Sequence, residues 1–256
     1  MATALHPDTP AGMAPEEWRL RVDLAAAYRM VAHLGWDDLI FTHLSARLPG
    51  PEHHFLINPY DRGFEEITAS SLVKIGVDGR PVDPDPAPVN PAGFTIHSAI
   101  HMAREDAHCV IHLHTPHGQA VSAMADGLMP LTQTALGVVS DLGYHDYEGI
   151  ATDLDERERI VADLGDRHLL ILRNHGTLSV GETVADAFLR IYFLERACEA
   201  QVMALAAGRD GVALAPQGTA EKVAGQNAEV AAFVSRRLVW PMMLRRMDRL
   251  DPSFRT

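Results

Sequence analysis

The sequence predicts one α/β domain with a central, largely antiparallel sheet. Strand-like and helix-like segments alternate unevenly along the chain, without a βαβ repeat or a glycine loop that would cradle a phosphate. Short apolar runs are separated by a Pro-Gly step at residues 49–50 and an Asp-Gly step at 78–79, which are typical of hairpin turns. These features favour antiparallel strand pairing, with helices packed against the sheet.

The first half of the chain predicts one helix followed by three strands. Apolar residues recur at helical spacing over residues 16–34, and Gly35 is expected to end this helix. Three short apolar runs then predict strands, at residues 39–47, 54–58 and 72–75. The proline-rich stretch 81–91 is predicted to be a loop.

The second half predicts an alternation of helices and strands. Helices are predicted at residues 94–103, 118–124, 154–164, 183–207 and 220–247. Strands are predicted at residues 107–113 and 169–172, followed by a turn at 174–176. Residues 136–144 are predicted as either a strand or irregular structure. Glycine and proline residues in the segment 208–218 indicate a linker.

Composition restricts the classes of partner and the compartment. The 34 acidic and 22 basic residues leave a formal net charge of −12, which argues against general binding to nucleic acids or anionic membranes. The two cysteines, Cys109 and Cys198, suit buried thiols in a reducing compartment. No apolar stretch approaches the ~20 residues of a membrane-spanning helix. Residues 1–15 are predicted to be a flexible leader, and the protein is expected to be cytoplasmic.

A histidine pair is the strongest functional signal. His112 and His114 lie one residue apart at the end of the apolar run 109–111, and alternate side chains of a strand share a face. His175 follows a second apolar run, 169–172. A third imidazole at the end of a neighbouring strand would complete a three-nitrogen face around a divalent metal, with positions open for substrate. Burying three imidazoles together without a metal would cost the desolvation of several polar atoms.

Five ordered segments carry a resemblance to a known family. They are residues 90–101 (NPAGFTIHSAIH), 112–118 (HLHTPHG), 120–124, 144–149 (YHDYEG) and 172–176 with 179–182. In this order they resemble the class II aldolase/adducin family, and most closely its adducin-like bacterial branch, over roughly residues 17–210. The resemblance implies a three-layer α/β/α fold around a mixed, mostly antiparallel sheet. It also implies a homo-oligomer, usually a tetramer, with active sites between neighbouring subunits.

We therefore expect three regions along the chain: a leader at residues 1–15, a class II aldolase/adducin-like domain at 16–210, and a C-terminal helical extension and tail at 211–256. The resemblance implies that His112, His114 and His175 hold a divalent metal, typically zinc. Three imidazoles also accept iron, manganese, cobalt or nickel.

The same resemblance identifies what this chain lacks. Aldolases of the family carry an acid/base glutamate 19 residues before the histidine pair, and the matching residue here is Gly93. The Gly-Asn step that helps to bind a substrate phosphate is replaced by Thr42 and His43. The Thr-Pro-Thr-Gly turn of the same pocket is replaced by residues 58–61. A sugar-phosphate substrate is therefore not expected.

Other groups are candidates for the missing roles. Because Gly93 has no carboxylate, a histidine or tyrosine is the expected acid/base replacement. Candidate catalytic residues are His97, Tyr144 and His145. Candidate substrate-binding residues are His43, Asn58, Arg62 and Gly93. Two alternatives stay open: Arg62 either binds a substrate carboxylate or pairs with Glu65 or Glu66, and His97 and His101 either reach the site or simply pack on the sheet.

Three functions are consistent with this pattern. The first is a metal-dependent lyase that acts on a small, non-phosphorylated oxo- or hydroxy-acid by retro-aldol cleavage or decarboxylation, through a metal-stabilised enediolate. The second is a non-haem Fe(II) oxygenase on the same three histidines, which needs free coordination positions. The third is a non-catalytic adducin-like assembly module. We rank it last, because adducin depends on tail regions and because the histidine triad is intact.

Overall fold

Seven strands form one sheet in the computed structural model, which describes residues 9–83, 87–149 and 155–256. The strands are β1 His43–Arg47, β2 Phe55–Ile57, β3 Val73–Ile75, β4 Cys109–Leu113, β5 Leu142–His145, β6 Leu169–Leu172 and β7 Gly176–Gly181. The α-helices are α1 Pro15–His33, α2 Pro91–Ala103, α3 Pro116–Ser122, α4 Gln133–Leu136, α5 Glu156–Leu164, α6 Val184–Leu205, α7 Thr219–Ala228, α8 Ala231–Phe233 and α9 Trp240–Leu250. A π-helical segment, Val234–Val239, joins α8 to α9.

The strand order is β3-β2-β1-β4-β7-β6-β5. Neighbouring strands are antiparallel except for β5 and β6, which are parallel. The predicted mixed, mostly antiparallel sheet is therefore confirmed.

Helices cover both faces of this sheet. On one face, α1, α6 and α9 pack with alternate strand residues such as Cys109, Ile111 and Leu113 in the larger apolar cluster. On the other face, α2 and α5 pack with the intervening residues, including Val110, in a second cluster. Strand alternation assigns His112 to this second face. The layers are thus α/β/α, as the resemblance implied.

Helix boundaries follow ordinary capping chemistry. Pro15 opens α1 and is followed by acidic residues in the first turn, which complement the positive end of the helix. Thr183 caps α6, where its side chain accepts a hydrogen bond from the backbone N–H of Asp186. Both helices begin within a residue of their predicted start.

Strand β7 was not predicted, and its sequence explains why. Its residues, GTLSVG, lack a continuous apolar run, because Thr177, Ser179 and the two end glycines interrupt it. A Cβ at Gly176 would collide with the Leu113 carbonyl oxygen, and one at Gly181 would approach the Ala187 nitrogen to 2.5 Å. Close packing therefore excludes larger side chains at these two positions.

Other element predictions were only partly right. The predicted strand 39–47 is shorter, because Leu39 adopts a positive φ of 52° in a turn before β1. Within residues 136–144, the strand begins only at Leu142. The predicted helix 220–247 is interrupted and divides among α7, α8, the π-helical segment and α9.

Some predictions fall outside the described residues. These are most of the leader at 1–15, part of the proline-rich loop 81–91 and the start of the helix 154–164. The division at residue 210 stays a prediction. Trp240, Met243 and Met247 of α9 pack in the same large cluster as α1 and α6. Among the described residues, no helix is both long and apolar enough to cross a membrane.

Candidate metal centre

Three histidines meet where β4 ends and β7 begins. His112 lies in β4, His114 follows the strand, and His175 immediately precedes β7. Antiparallel pairing of Leu113 with Thr177 brings these chain segments together. One ring nitrogen from each histidine contributes to a cluster in which all three atoms lie within 4.8 Å of one another. The spacing suits three ligands of one ion after a small side-chain adjustment, since zinc–nitrogen distances are about 2.0–2.1 Å.

Hydrogen bonds define the tautomers of two of these rings. Nδ1 of His112 lies 3.0 Å from the backbone carbonyl oxygen of Thr177, which only accepts hydrogen bonds. Nδ1 of His114 lies 3.0 Å from Oδ2 of Asp38, which also accepts. Both Nδ1 atoms therefore carry the hydrogen in the neutral rings, and both Nε2 atoms present lone pairs.

These two lone pairs face each other. The Nε2 atoms of His112 and His114 are 3.0 Å apart. Two lone pairs at this distance repel each other unless a cation lies between them. With His175 beside them, the donor set fits a divalent cation that prefers imidazole nitrogen.

Burial keeps the ligand rings neutral. It lowers the pKa of His112 well below its usual value, and repulsion by His175 and His114 adds to the effect. Burial also lowers the pKa of His175 to about 4, with further contributions from His114 and His145. Because metal ions bind the deprotonated imidazole, these two rings are ready to coordinate at neutral pH.

His43 lies beside the triad, against Gly93. A Cβ built on Gly93 would come within 2.9 Å of His43 Cδ2. The centres of the His43 and His112 rings are 5.4 Å apart. Neither ring nitrogen of His43 has a hydrogen-bond partner of normal geometry among the described residues, and burial lowers its pKa to about 3. The structure thus brings His43 and Gly93 together beside the histidine cluster.

A hydrogen-bonded chain extends from His97 into the protein. Nδ1 of His101 lies 2.6 Å from the Ala107 carbonyl oxygen and must donate to it. Nε2 of His101 then accepts from the Ser45 hydroxyl, 2.7 Å away, so that Ser45 accepts from Nδ1 of His97 at 2.6 Å. This direction leaves Nε2 of His97 as a buried lone pair with no partner among the described residues.

Comparison with known proteins identifies the family. The family model described as Class II Aldolase and Adducin N-terminal domain matches residues 22–202. The chain belongs to this family.

Proteins named as aldolases and proteins named as adducins both match this class II aldolase/adducin domain. A Caulobacter vibrioides protein is 61% identical over 238 residues, covering 93% of this chain and 92% of that protein, and its name assigns it provisionally to aldolase class 2. Mouse (Mus musculus) alpha-adducin is 48% identical over 204 residues, which are 78% of this chain but 28% of alpha-adducin. A solved aldolase II superfamily protein from Pseudomonas syringae matches with a TM-score of 0.90 and 47% identity, over 95% of this chain and 98% of that one.

Within this class II aldolase/adducin domain, the two candidate catalytic residues of β5 face opposite sides of the sheet. Both ring nitrogens of His145 contact carboxylates, Nδ1 with Asp163 at 2.7 Å and Nε2 with Glu156 at 3.3 Å. His145 and His175 line the same small cleft. Tyr144 instead packs against the larger apolar cluster, where its hydroxyl accepts from the Leu128 N–H. The structure does not bring Tyr144 to the histidines.

Two candidate substrate-binding residues also lie elsewhere. The amide oxygen of Asn58 accepts from the hydroxyl of Tyr28, which ties it into the core behind β1. Arg62 is exposed, and among the described residues it forms no ion pair with Glu65 or Glu66. Among the described residues, neither side chain forms a hydrogen bond or ion pair with the histidine cluster.

Several residues at the candidate site were missed by sequence reasoning. Asp38 orients His114 from 76 positions away, and Thr177 supplies the acceptor for His112. The half-exposed ring of Tyr147 lies 6.3 Å from the His175 ring, centre to centre. Only Tyr147 had a local signal, since it belongs to the quoted segment 144–149.

Proposed function

We propose that this protein is a metal-dependent lyase acting on a small, non-phosphorylated oxo- or hydroxy-acid, by retro-aldol cleavage or decarboxylation. Membership of the class II aldolase/adducin family supports this class of activity. Zinc is the metal we expect at His112, His114 and His175, because three imidazoles with open positions are typical of catalytic zinc.

One observation supports the metal most directly. The Nε2 atoms of His112 and His114 approach to 3.0 Å, while their Nδ1 atoms are already committed to a carbonyl and a carboxylate. Such an arrangement is favourable when a cation shares the two lone pairs. The hydrogen bonds to Thr177 and Asp38 also hold the rings in orientation, which is the usual role of partners behind metal ligands.

The remaining residues suggest how the chemistry is divided. A divalent ion at this site would supply Lewis-acid polarisation of a substrate oxygen. Of the candidate proton carriers, the contacts favour His97, because its Nε2 has a lone pair without a partner among the described residues. Both nitrogens of His145 and the hydroxyl of Tyr144 already have hydrogen-bond partners. We infer that His97 and His43 together form the polar wall beside the ligands.

A second function has a specific observation in its favour. No carboxylate belongs to the ligand cluster found among the described residues, and His43 lies where a side chain at position 93 would extend. Three neutral ligands leave positions for both O₂ and substrate, which suits a non-haem Fe(II) oxygenase. The similarity to alpha-adducin supports a third function, a non-catalytic assembly module, which we rank last.

Assembly and location complete the proposal. We infer a homotetramer, as the family resemblance implies, in the cytoplasm. Light scattering of the purified chain tests the assembly state, and a mass close to that of a monomer would contradict it.

The decisive experiment is elemental analysis of protein purified without added metal, with His112→Ala as the control. Stoichiometric metal in the wild type and little in the variant is the expected result. Equally little metal in both proteins would remove the main support for the lyase and for the oxygenase. Turnover of a panel of oxo- and hydroxy-acids is then compared with Zn²⁺, Mn²⁺ and Fe²⁺, under nitrogen and under air. Turnover that requires Fe²⁺ and air would replace the lyase with the oxygenase.

A further inference from the structure

A buried carboxylate lies behind the histidines, on the side of the sheet that α6 covers. Glu195 of α6 is 2% exposed. Its two oxygens accept hydrogen bonds from the hydroxyls of Thr115 and Thr177. Among the described residues, no lysine, arginine or histidine pairs with it. The proposed reaction does not use this group.

The two threonines belong to the chain segments that carry the ligands. Thr115 directly follows His114, and Thr177 lies two residues after His175. The backbone carbonyl of Thr177 also accepts from Nδ1 of His112. One carboxylate is therefore connected, through two hydroxyls, to the segments bearing all three histidines.

The surroundings of Glu195 leave little freedom. The Thr115 hydroxyl oxygen accepts from the Gly118 N–H at 2.9 Å, so its own hydrogen is directed to Glu195. A Cβ on Gly118 would lie 2.8 Å from that hydroxyl oxygen and 3.1 Å from Oε1 of Glu195. The first turn of α3, the end of β4 and the start of β7 thus converge on one carboxylate.

A carboxylate in this position is unfavourable by itself. Burying an anion without a cation partner is costly, and two hydroxyl donors offset only part of the cost. Burial raises the pKa of Glu195 to about 7, although Thr115 and Thr177 act in the opposite direction. A divalent cation held by three neutral imidazoles would lack an anionic ligand, so a nearby buried negative charge would stabilise it.

We propose that Glu195 is a positioning residue that holds the ligand-bearing segments together and supplies a buried negative charge for the cation. The proposal rests on the metal site of the proposed function. It predicts that Glu195 determines metal affinity without touching the metal or the substrate.

The test measures Zn²⁺ and Co²⁺ dissociation constants by competition with a chromophoric chelator. Glu195→Gln should weaken both by about 10-fold, the low end of the effect of losing a group bonded directly to a metal ligand, because Glu195 bonds the threonines beside the ligands. The visible spectrum of the bound Co²⁺ should also change, because it reports the arrangement of the ligands. Asp186→Asn is the matched control. Asp186 is also a buried carboxylate of α6, but it pairs with Arg236, and among the described residues it makes no hydrogen bond or ion pair with the ligand segments.

A second variant covers the case in which Glu195→Gln does not fold. Thr177→Val keeps the carboxylate and removes one of its two donors, and it should weaken metal binding several-fold with a changed Co²⁺ spectrum. Metal binding within twofold of wild type, with an unchanged spectrum, overturns the proposal in whichever variant folds. A wild-type chain that binds neither metal overturns the proposed function as well, so the two failures are distinct.

Discussion

The ring of His43 fills the space that a side chain at Gly93 would need. A Cβ on residue 93 would lie 2.9 Å from Cδ2, 3.0 Å from Cγ and 3.1 Å from Nε2 of His43. The His97 ring also lies against His43, with the two ring centres 4.3 Å apart. A larger side chain at position 93 therefore requires a smaller one at position 43.

Gly93→Ala should destabilise the protein, although alanine is a better helix former than glycine. Forcing a methyl group against a packed ring costs about 1–3 kcal/mol, whereas the helix preference returns at most about 1 kcal/mol. In a His43→Ala background the clash is absent, so the same change should be neutral or stabilising. Urea unfolding of the four proteins measures this cycle. An equal cost of Gly93→Ala in both backgrounds would contradict the packing relationship.

Asp38→Ala should weaken Zn²⁺ binding by about 10- to 100-fold, because it removes the carboxylate that orients His114. Asp37→Ala is the matched control, since among the described residues this neighbouring carboxylate forms no hydrogen bond or ion pair with a ligand histidine. Chelator competition gives both constants. Similar losses in the two variants would show that general charge, rather than the hydrogen bond to His114, is responsible.

Lowering the pH should destabilise the metal-free protein through its buried histidines, of which His101 gives the clearest test. Burial lowers the pKa of His101 from its ordinary value of 6.5 to about 3. The unfolded chain therefore takes up a proton that the folded protein does not bind. Stability is retained above pH about 6.5 and decreases as the pH falls, by about 2 kcal/mol per histidine between pH 7 and 5.

His101→Gln removes this titration. In the presence of a chelator, its unfolding free energy should fall between pH 7 and 5 by about 2 kcal/mol less than that of the wild type. The comparison uses the difference between two pH values, so a general loss of stability in the variant does not affect it. An identical pH dependence in both proteins would mean that His101 is not held neutral in the fold.

Tyr144→Phe should reduce stability and leave metal affinity unchanged. The hydroxyl of Tyr144 accepts from the Leu128 N–H at 3.0 Å on the face away from the histidines. Removing the acceptor of a buried N–H costs about 1–3 kcal/mol. Tyr147→Phe provides the control, because the Tyr147 ring is 54% exposed and its loss of a hydroxyl should have little effect on stability. A large loss of metal binding in Tyr144→Phe would show that Tyr144 acts at the metal site.

The elements predicted best are those with strong local patterns. Strand β6 coincides with its apolar run, and α6 lies within the predicted long helix. The prediction missed strand β7, because its end glycines are required by close contacts with the backbone of Leu113 and Ala187. Leu113 is distant in sequence, and Ala187 belongs to the next helix. Local hydrophobicity is a weak guide where small residues are required by close packing.

The residues of the candidate site likewise divide into those with a local sequence pattern and those without one. The pair at positions 112 and 114 could be recognised because a strand has a period of two residues. Asp38, Ser45 and Glu195 had no such signal, since their histidine or threonine partners lie 18 to 80 positions away in sequence. Hydrogen bonds between separate elements depend on the packing of the sheet and helices, which no local pattern encodes.

The sequence by itself determined the histidine triad, the α/β class, the family resemblance and the absence of a carboxylate at Gly93, because these depend on residue identity and short spacing. Only the tertiary structure decided that His43 occupies the space beside Gly93, that the Nε2 lone pairs of His112 and His114 converge, and that Tyr144 faces away. Each of these depends on distances between elements remote in the chain. Strand alternation determines which residues share a face, but which face lies toward the histidines depends on packing and hydrogen bonding.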